Sequence, residues 1–490
     1  MAESSDHSPA LHDIWVDPVH GNDRADGISR RTALKTLAAA WDRVPVRTET
    51  AGTGFHIRLM AGVHLGPPVI LLGNRTGSAQ CPIVLESVDG PFATSLPALD
   101  FHGCQWLELS GFRVRSAHLP DVPGSRDNVL HFGNCHHVKL AGLWVSGLGP
   151  ALPRLVMKAN QSSHLDVLGC EFSHALGNAL DYVAVQHSRI LNSVFHDTGA
   201  ECLYVKGGSA HIRIEGNHVY NGVNHGILAG QTTGFQYMVP PWLHYECYDV
   251  KIVSNVVHDT GGAALAVCGG YNVLAAFNTA WRVGHARDVV VVGLGGRGWG
   301  AGRWEPLCDE YLRLGGWNNP AGPVLCNIPC RNVFIMNNLI LNPDDAPARF
   351  AHFGISGPVH TPAGSNLPDP ARADDNLLIR GNVIWNGPTD MPMLDPEIIH
   401  HLAAPSTFDP EVLRRDNAVN TVRPRLIDPE DGDFHPDPGA PLPASVDVPD
   451  FSGLDAPDRP PVPPGDLANR ITLDRDGRPR SRHGRPGAYA

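Results

Sequence analysis

The chain has 490 residues, with 52 Gly, 43 Pro, 42% apolar and 18% charged side chains. It is too apolar and too sparsely charged for a disordered chain, carries no apolar run long enough for a membrane-spanning helix, and shows no three-residue glycine period of the collagen kind. Lys plus Arg number 38 against 50 Asp plus Glu, a net charge of −12, and the missing basic excess argues against a nucleic-acid reader.

In chain order, the first readable element is a strand around Ile14-Trp15-Val16-Asp17. Ser29-Arg30-Arg31-Thr32 imitates a twin-arginine export signal, but a strand precedes it and Trp41-Asp42-Arg43 breaks the apolar run after it. Thr32 instead reads as the N-cap of a helix through about Val44. Residues 1–54 are thus assigned to an N-terminal strand and capping helix. Asp17, Asp23 and Asp26 look like a cap turn and lack the spacing of a calcium loop. No signal peptide follows Met1, so the expectation is a cytoplasmic protein, or a secreted or periplasmic one whose leader was removed.

From residue 111 a short motif recurs, a small or amide residue followed by an alternating apolar run. It is seen at Gly111, Gly142, Cys170, Asn192, Asn217, Asn255, Asn278, Asn338 and Asn382. The shorter spacings cluster at 22 to 25 residues. His196–Gly208 aligns without gaps to His258–Gly270. Units this short cannot hold a βαβ crossover, and the L-x-x-L-x-L signature of leucine-rich repeats is absent. The pattern predicts an all-β solenoid, a parallel β-helix of about ten coils over 55–403, with the Asn column as an amide ladder. A Pro-rich segment, 404–490, is expected to pack along it. Of ten cysteines, Cys202 and Cys268 read as buried thiols, and Cys104 and Cys135 are expected to stack on adjacent coils. Cys326-x3-Cys330 lacks a second ligand pair for zinc.

Each coil reads as three strands, the second being Cys202–Lys206, Gly226–Ala229, Ala264–Val267, Val289–Val292 and Phe353–Ser356. Extra residues at about 231–246, 294–325 and 358–373 each follow a second strand, so they should fence one face. Their aromatics, Trp242 and Tyr245 among them with Tyr237, Trp299, Trp304, Tyr311 and Trp317, suit stacking on sugars or packing of the loops. Residues 101–300 carry 13 basic and 13 acidic side chains and 15 of the 26 histidines, so the chemistry is sought there. Alternation turns Leu203 and Val205 inward and Tyr204 and Lys206 outward.

The leading expectation is polysaccharide cleavage by β-elimination, with Lys206 as base and Tyr204 or His225 as proton donor. Arg213, Arg282, Arg287 and His285 would hold the substrate's charge, with Tyr182 and Gln231 beside them. The alternative is a glycoside hydrolase using Asp181 and Glu201, with Glu246 and Asp288 as further carboxylates. A non-catalytic carbohydrate-binding β-helix is the third reading. The partner in each case is a polysaccharide or oligosaccharide, with no nucleic acid and no membrane.

Trp15-Val-Asp-Pro-Val-His-Gly-Asn-Asp23, Asp26-Gly27 and Leu34-Lys-Thr-Leu37 resemble the N-terminal cap of bacterial right-handed parallel β-helix proteins of the pectate-lyase-like superfamily. Leu426–Phe434, Pro438-Gly-Ala-Pro441, Asp476–Arg480 and Gly487-Ala-Tyr489 resemble their C-terminal ends. The resemblance implies a right-handed coil and, for the superfamily's lyases, a Lys or Arg base, often with calcium bridging the uronate. It names no reaction, because the superfamily spans lyases, hydrolases and epimerases. No metal ligand is assigned, and no cofactor beyond that calcium is expected.

Overall fold

The computed structural model describes residues 11–46, 53–115, 128–148, 152–320, 324–346, 350–386, 391–395, 404–453, 463 and 465–489. These fall into two compact units, Met1–Leu176 and Gly177–Ala490, where the sequence suggested a single solenoid domain. The expected boundary at 403/404 borders 396–403, which lie outside the described residues.

In the first unit, three stacks of parallel strands make three faces. Leu11–Val16, Gly54–Leu59, Ile83–Ser87, Gln105–Ser110 and His136–Ala141 pair in succession. Val69–Gly73, Ala98–His102 and Asn128–Gly133 form the second stack. Gly62–Val63, Thr94–Leu96, Arg113–Arg115, Trp144–Ser146 and Glu171–Ala175 form the third. The coils therefore begin well before Gly111, in a stretch where no Asn column marks them.

The N-terminal cap differs from expectation. Ser29 caps a single 3₁₀ turn, Arg30–Thr32, and Thr36 rather than Thr32 caps the helix, which spans Leu37–Trp41 alone. Leu34 is the cause: it bridges Val16 in parallel and hydrogen-bonds Trp15, so residues near it are drawn into an edge pairing. The acidic residues are turn caps as read. Asp17 accepts the Val19 and His20 amides, and Asp23 those of Lys35 and Thr36.

The second unit repeats the three-stack plan. Leu180–Leu191, Leu203–Lys206, Ile227–Gly230, Leu265–Cys268, Val290–Gly293 and Phe353–Ile355 pair in parallel, within a residue or two of the expected second strands. Ser209–Glu215, Cys247–Val253, Gly270–Ala276, Arg331–Met336 and Leu378–Arg380 make the third-strand stack. Inward positions such as Val205, Ala229, Val267 and Val292 are fully buried, and burial of such a column is the main source of stability.

The predicted amide ladder is present from Asn217 onward; Asn192 falls one residue short of it, and the Ser193 N–H donates to Asn217 Oδ1 in its place. Asn217, Asn255, Asn278, Asn338, Asn382 and Asn417 are linked by five Nδ2–H to Oδ1 hydrogen bonds of 2.8–2.9 Å. Each of the last five Oδ1 atoms also accepts the backbone N–H of the preceding Asn. Corners elsewhere use left-handed backbone: Gly207 and Gly208, at φ 66° and 78°, swing the chain from the second strand to the third.

The insertions leave at the expected corner and build their own small sheet. Thr232–Gly234 pairs in parallel with Gly295–Gly298, which pairs antiparallel with Cys326–Ile328. A helix, Glu305–Arg313, completes this layer. The C-terminal segment is tied to the third-strand stack. Lys251 Nζ donates to Ala468 O and Asp466, Asn337 to Val446 O, and Phe451 packs on Phe334. All ten cysteines are unbridged and buried, including the Cys104 and Cys135 pair.

Candidate active site

The outer face of the second strands in the Gly177–Ala490 unit has two informative columns. Two residues before Leu180, Leu203, Ile227, Leu265, Val290 and Phe353, which are in register, stand Asn178, Glu201, His225, Ala263, Asp288 and Ala351. Within this column Asn178 Oδ1 accepts the Glu201 N–H at 3.2 Å, His225 Nδ1 the Ala263 N–H at 3.0 Å, and Asp288 Oδ1 the Ala351 N–H at 3.2 Å. Each thus caps the same-register amide one coil on. His225, almost wholly buried, is read here as a coil cap rather than the expected proton donor, because its Nδ1 accepts and the imidazole is then held in the Nε2–H form.

The second column runs along the strand's outward positions: Asp181, Tyr204, Leu228, Ala266, Val291 and Gly354 are in register. Most of it is apolar and covered; Tyr204 lies in one buried cluster with Leu228, Ala266, Cys268 and Val291. Polar chemistry gathers at its start. Asn178 ties the Asp181 carboxylate to the next coil's backbone, giving its Nδ2–H to Asp181 Oδ2 at 3.2 Å while its Oδ1 accepts the Glu201 backbone N–H. Asn224 Nδ2 donates to Glu201 Oε1 at 2.6 Å. Tyr204 OH donates to Gln231 Oε1 at 2.5 Å, and Lys206 Nζ stands 4.1 Å from the centre of the Tyr204 ring. Lys206, Gln231 and Asn224 are half-buried, whereas Asp181 and Glu201 are buried.

The electrostatics separate these groups. Burial raises the Glu201 carboxyl above its ordinary 4.5; its own backbone amide, Asn224 and Lys206 pull it down, and Asp181 adds to the rise. Tyr204 is pushed well above 10, by burial first and then by Asp181, Glu201 and Glu246, so its hydroxyl stays protonated. The Lys206 ammonium lies on an aromatic face and near enough to Glu201 to lower that carboxyl's pKa.

Several expected site residues lie elsewhere. Tyr182 is in register with Val205 and wholly buried in the coil interior. Arg213 sits past the Gly207-Gly208 corner on the third-strand face, paired with Glu215 at 2.6 Å. Arg282 belongs to the strand Thr279–Val283, stacked on Trp281 and paired with Asp259 and Glu430. Arg287 and His285 do flank the capping column, half-buried and exposed respectively, in the turn before Asp288.

Glu246 is not a face carboxylate. It is fully buried against Arg297, whose Nη2 and Nε donate to Oε1 at 2.8 and 3.1 Å. Its Oε2 accepts from the Thr233 hydroxyl at 2.7 Å and the Gly207 N–H at 3.3 Å. Trp242 and Tyr245 are likewise structural, buried with Tyr248, Tyr271 and Trp317 under the insertions. Sequence reasoning missed Asn178, Asn224 and Asp395. The last sits one coil beyond Gly354 on the outward column, through the Phe353–Leu394 bridge.

The calcium implied by the resemblance does not fit. Among the described residues no group of three or more His, Cys, Asp or Glu converges to hold a metal ion. Asp181 and Glu201 are instead bonded to amide donors.

Residues 157–286 match the family described as "Right handed beta helix region", which agrees with the parallel coils of the fold. No curated protein matches the chain. Solved structures of similar fold include a rhamnogalacturonan lyase, at 11% identity, covering 76% of this chain and 87% of that one, TM-score 0.42. A PL6 family alginate lyase is 14% identical, covering 82% and 55%, TM-score 0.41. The GH136 lacto-N-biosidase from Eubacterium ramulus is 12% identical, covering 83% and 68%, TM-score 0.40.

Proposed function

We propose that the protein hydrolyses a glycosidic bond of a polysaccharide, with Glu201 as the proton donor and Asp181 as the second carboxylate. The observation that carries this reading is a pair of buried acidic residues on adjacent coils: Asn178 joins the Asp181 carboxylate to the Glu201 backbone N–H, and the Asp181 charge helps to raise the Glu201 carboxyl's pKa. Coils stack about 4.8 Å apart, and paired glycosidase carboxyls work at about 5 to 9.5 Å. Burial keeps a proton on Glu201 to higher pH than on an exposed glutamate, which is what a general acid needs. Elimination is the alternative reading; it would use Lys206, beside the Tyr204 ring, as a neutral base. Lys206 and Gln231 are better placed to orient substrate.

The test is a panel of plant, algal and bacterial polysaccharides, assayed in parallel for new reducing ends and for the ultraviolet absorbance of an unsaturated uronide. Reducing ends without absorbance are expected. Glu201→Gln and Asp181→Asn should each lower kcat by about 100- to 10,000-fold with the circular dichroism unchanged, while Lys206→Ala mainly raises KM. Absorbance that disappears in Lys206→Ala would replace hydrolysis with elimination.

A further inference from the structure

The insertion aromatics sort into two groups. Phe235, Met238, Leu243, Cys308 and Tyr311 form the buried core of the loop layer. Tyr237 and Trp304 are left outside it, Tyr237 with 49% of its surface exposed and Trp304 half-buried. They come from different insertions, yet their rings meet edge to face in a corner at the surface, centres 6.3 Å apart with planes at 61°. The exposed guanidinium of Arg303 lies over the Trp304 ring, 4.6 Å from its centre.

Three donors at this corner are unused among the described residues. Among the described residues the Tyr237 hydroxyl and the Trp304 Nε1–H have no hydrogen bond within the protein, and Arg303 has no ion pair. A ring face beside hydroxyl-seeking donors matches a pyranose, which shows an apolar face of C–H bonds and a rim of hydroxyls.

The corner is also tied to the carboxylate site. Gln231, which accepts the Tyr204 hydroxyl, is six residues before Tyr237, joined through the strand Thr232–Gly234. Six residues span at most about 20 Å, the length of a few linked sugars. We propose that Tyr237, Trp304 and Arg303 form a sugar-binding subsite that holds one pyranose of the substrate chain at a distance from the cleaved bond. This deepens the functional reading above and rests on it for the substrate class.

The experiment is affinity electrophoresis of the full chain through gels containing xylan, mixed-linkage β-glucan, alginate or polygalacturonate, with Glu201→Gln as the background so that nothing is cleaved. At least one polysaccharide should retard this variant. Adding Tyr237→Ala or Trp304→Ala should weaken retention by about two- to tenfold per ring, and Trp304→Phe should recover most of it. Arg303→Met should weaken retention by the two acidic polymers more than by the neutral pair if the arginine reads a carboxylate, and equally if it reads hydroxyls. Retention unchanged in the Tyr237→Ala/Trp304→Ala double variant, or no retention by any of the four, overturns the subsite. Ring-dependent retention without cleavage by the wild-type chain would leave the subsite standing and sink the hydrolase instead.

Discussion

Glu246→Gln is expected to destabilise the unit that carries it by about 3–5 kcal/mol, with a much smaller effect on turnover below its melting temperature. Among the described residues the carboxylate is the sole anion bonded to Arg297, and both side chains are completely buried. The remaining Arg297 donors go to main-chain carbonyls of Leu243, His244 and Trp317. Removing the negative charge therefore strands a buried guanidinium, and the amide nitrogen of Gln meets two donors, the Thr233 hydroxyl and the Gly207 N–H. Arg297→Met should cost a similar amount for the reciprocal reason. The double variant Glu246→Gln/Arg297→Met should lose about as much as one single change and far less than their sum, because neither charge is left alone. Urea unfolding of the four proteins gives the cycle directly. Additive losses would mean that each side chain acts through packing and the ion pair holds nothing. A Glu246→Gln variant that stays folded but loses turnover as Glu201→Gln does would restore Glu246 to the chemistry.

The same residue shows why some of the site was readable in the sequence and some was not. Strand alternation is local, so the outward placing of Tyr204 and Lys206 followed from Leu203 and Val205, and the corner used by all three insertions followed from spacing. Tyr182 was open to the same treatment: laying Leu180-Asp181-Tyr182 over Leu203-Tyr204-Val205 puts its ring inside. Glu246 and Arg297 are 51 residues apart and meet because the first two insertions pair edge to edge, which no periodicity encodes. Trp242 and Tyr245 share that cause; composition marks the loops as aromatic but does not say which rings the small sheet covers. His225 and Asp288 failed differently. Each sits at a position where a side-chain acceptor caps the next coil's amide, and a chemical residue type at a structural position reads as a site. Asn178, at the same position, is the residue whose type fits the cap, and it was passed over for that reason.

Asp288→Asn is expected to stabilise the protein at pH 8 and to do little at pH 4. Burial, and then the Asp395 carboxylate, raise the Asp288 pKa from 3.8 to about 7. The groups facing it are Asp395, the Arg287 cation that partly opposes the rise, and the Ala351 amide that it caps. Gly354 lies between the two aspartates in the stack and makes their approach possible, since a Cβ there would come within 2.2 Å of Asp288 Oδ2. In the unfolded chain the carboxyl loses its proton near 3.8; in the folded chain it keeps it to about 7. Between those values the unfolded state binds fewer protons, so stability falls as pH rises, by about 1.4 kcal/mol per unit and about 4 kcal/mol in all. Below 3.8 both states hold the proton and the contribution is intact; above 7 both have lost it and the deficit is constant. Asparagine keeps the Oδ1 that caps Ala351 and never ionises, so the gain in melting temperature over wild type should open between pH 4 and 7 and then level off. A difference independent of pH would place the strain in packing, and a variant less stable than wild type at pH 8 would show the ionised carboxylate to be favoured where it stands.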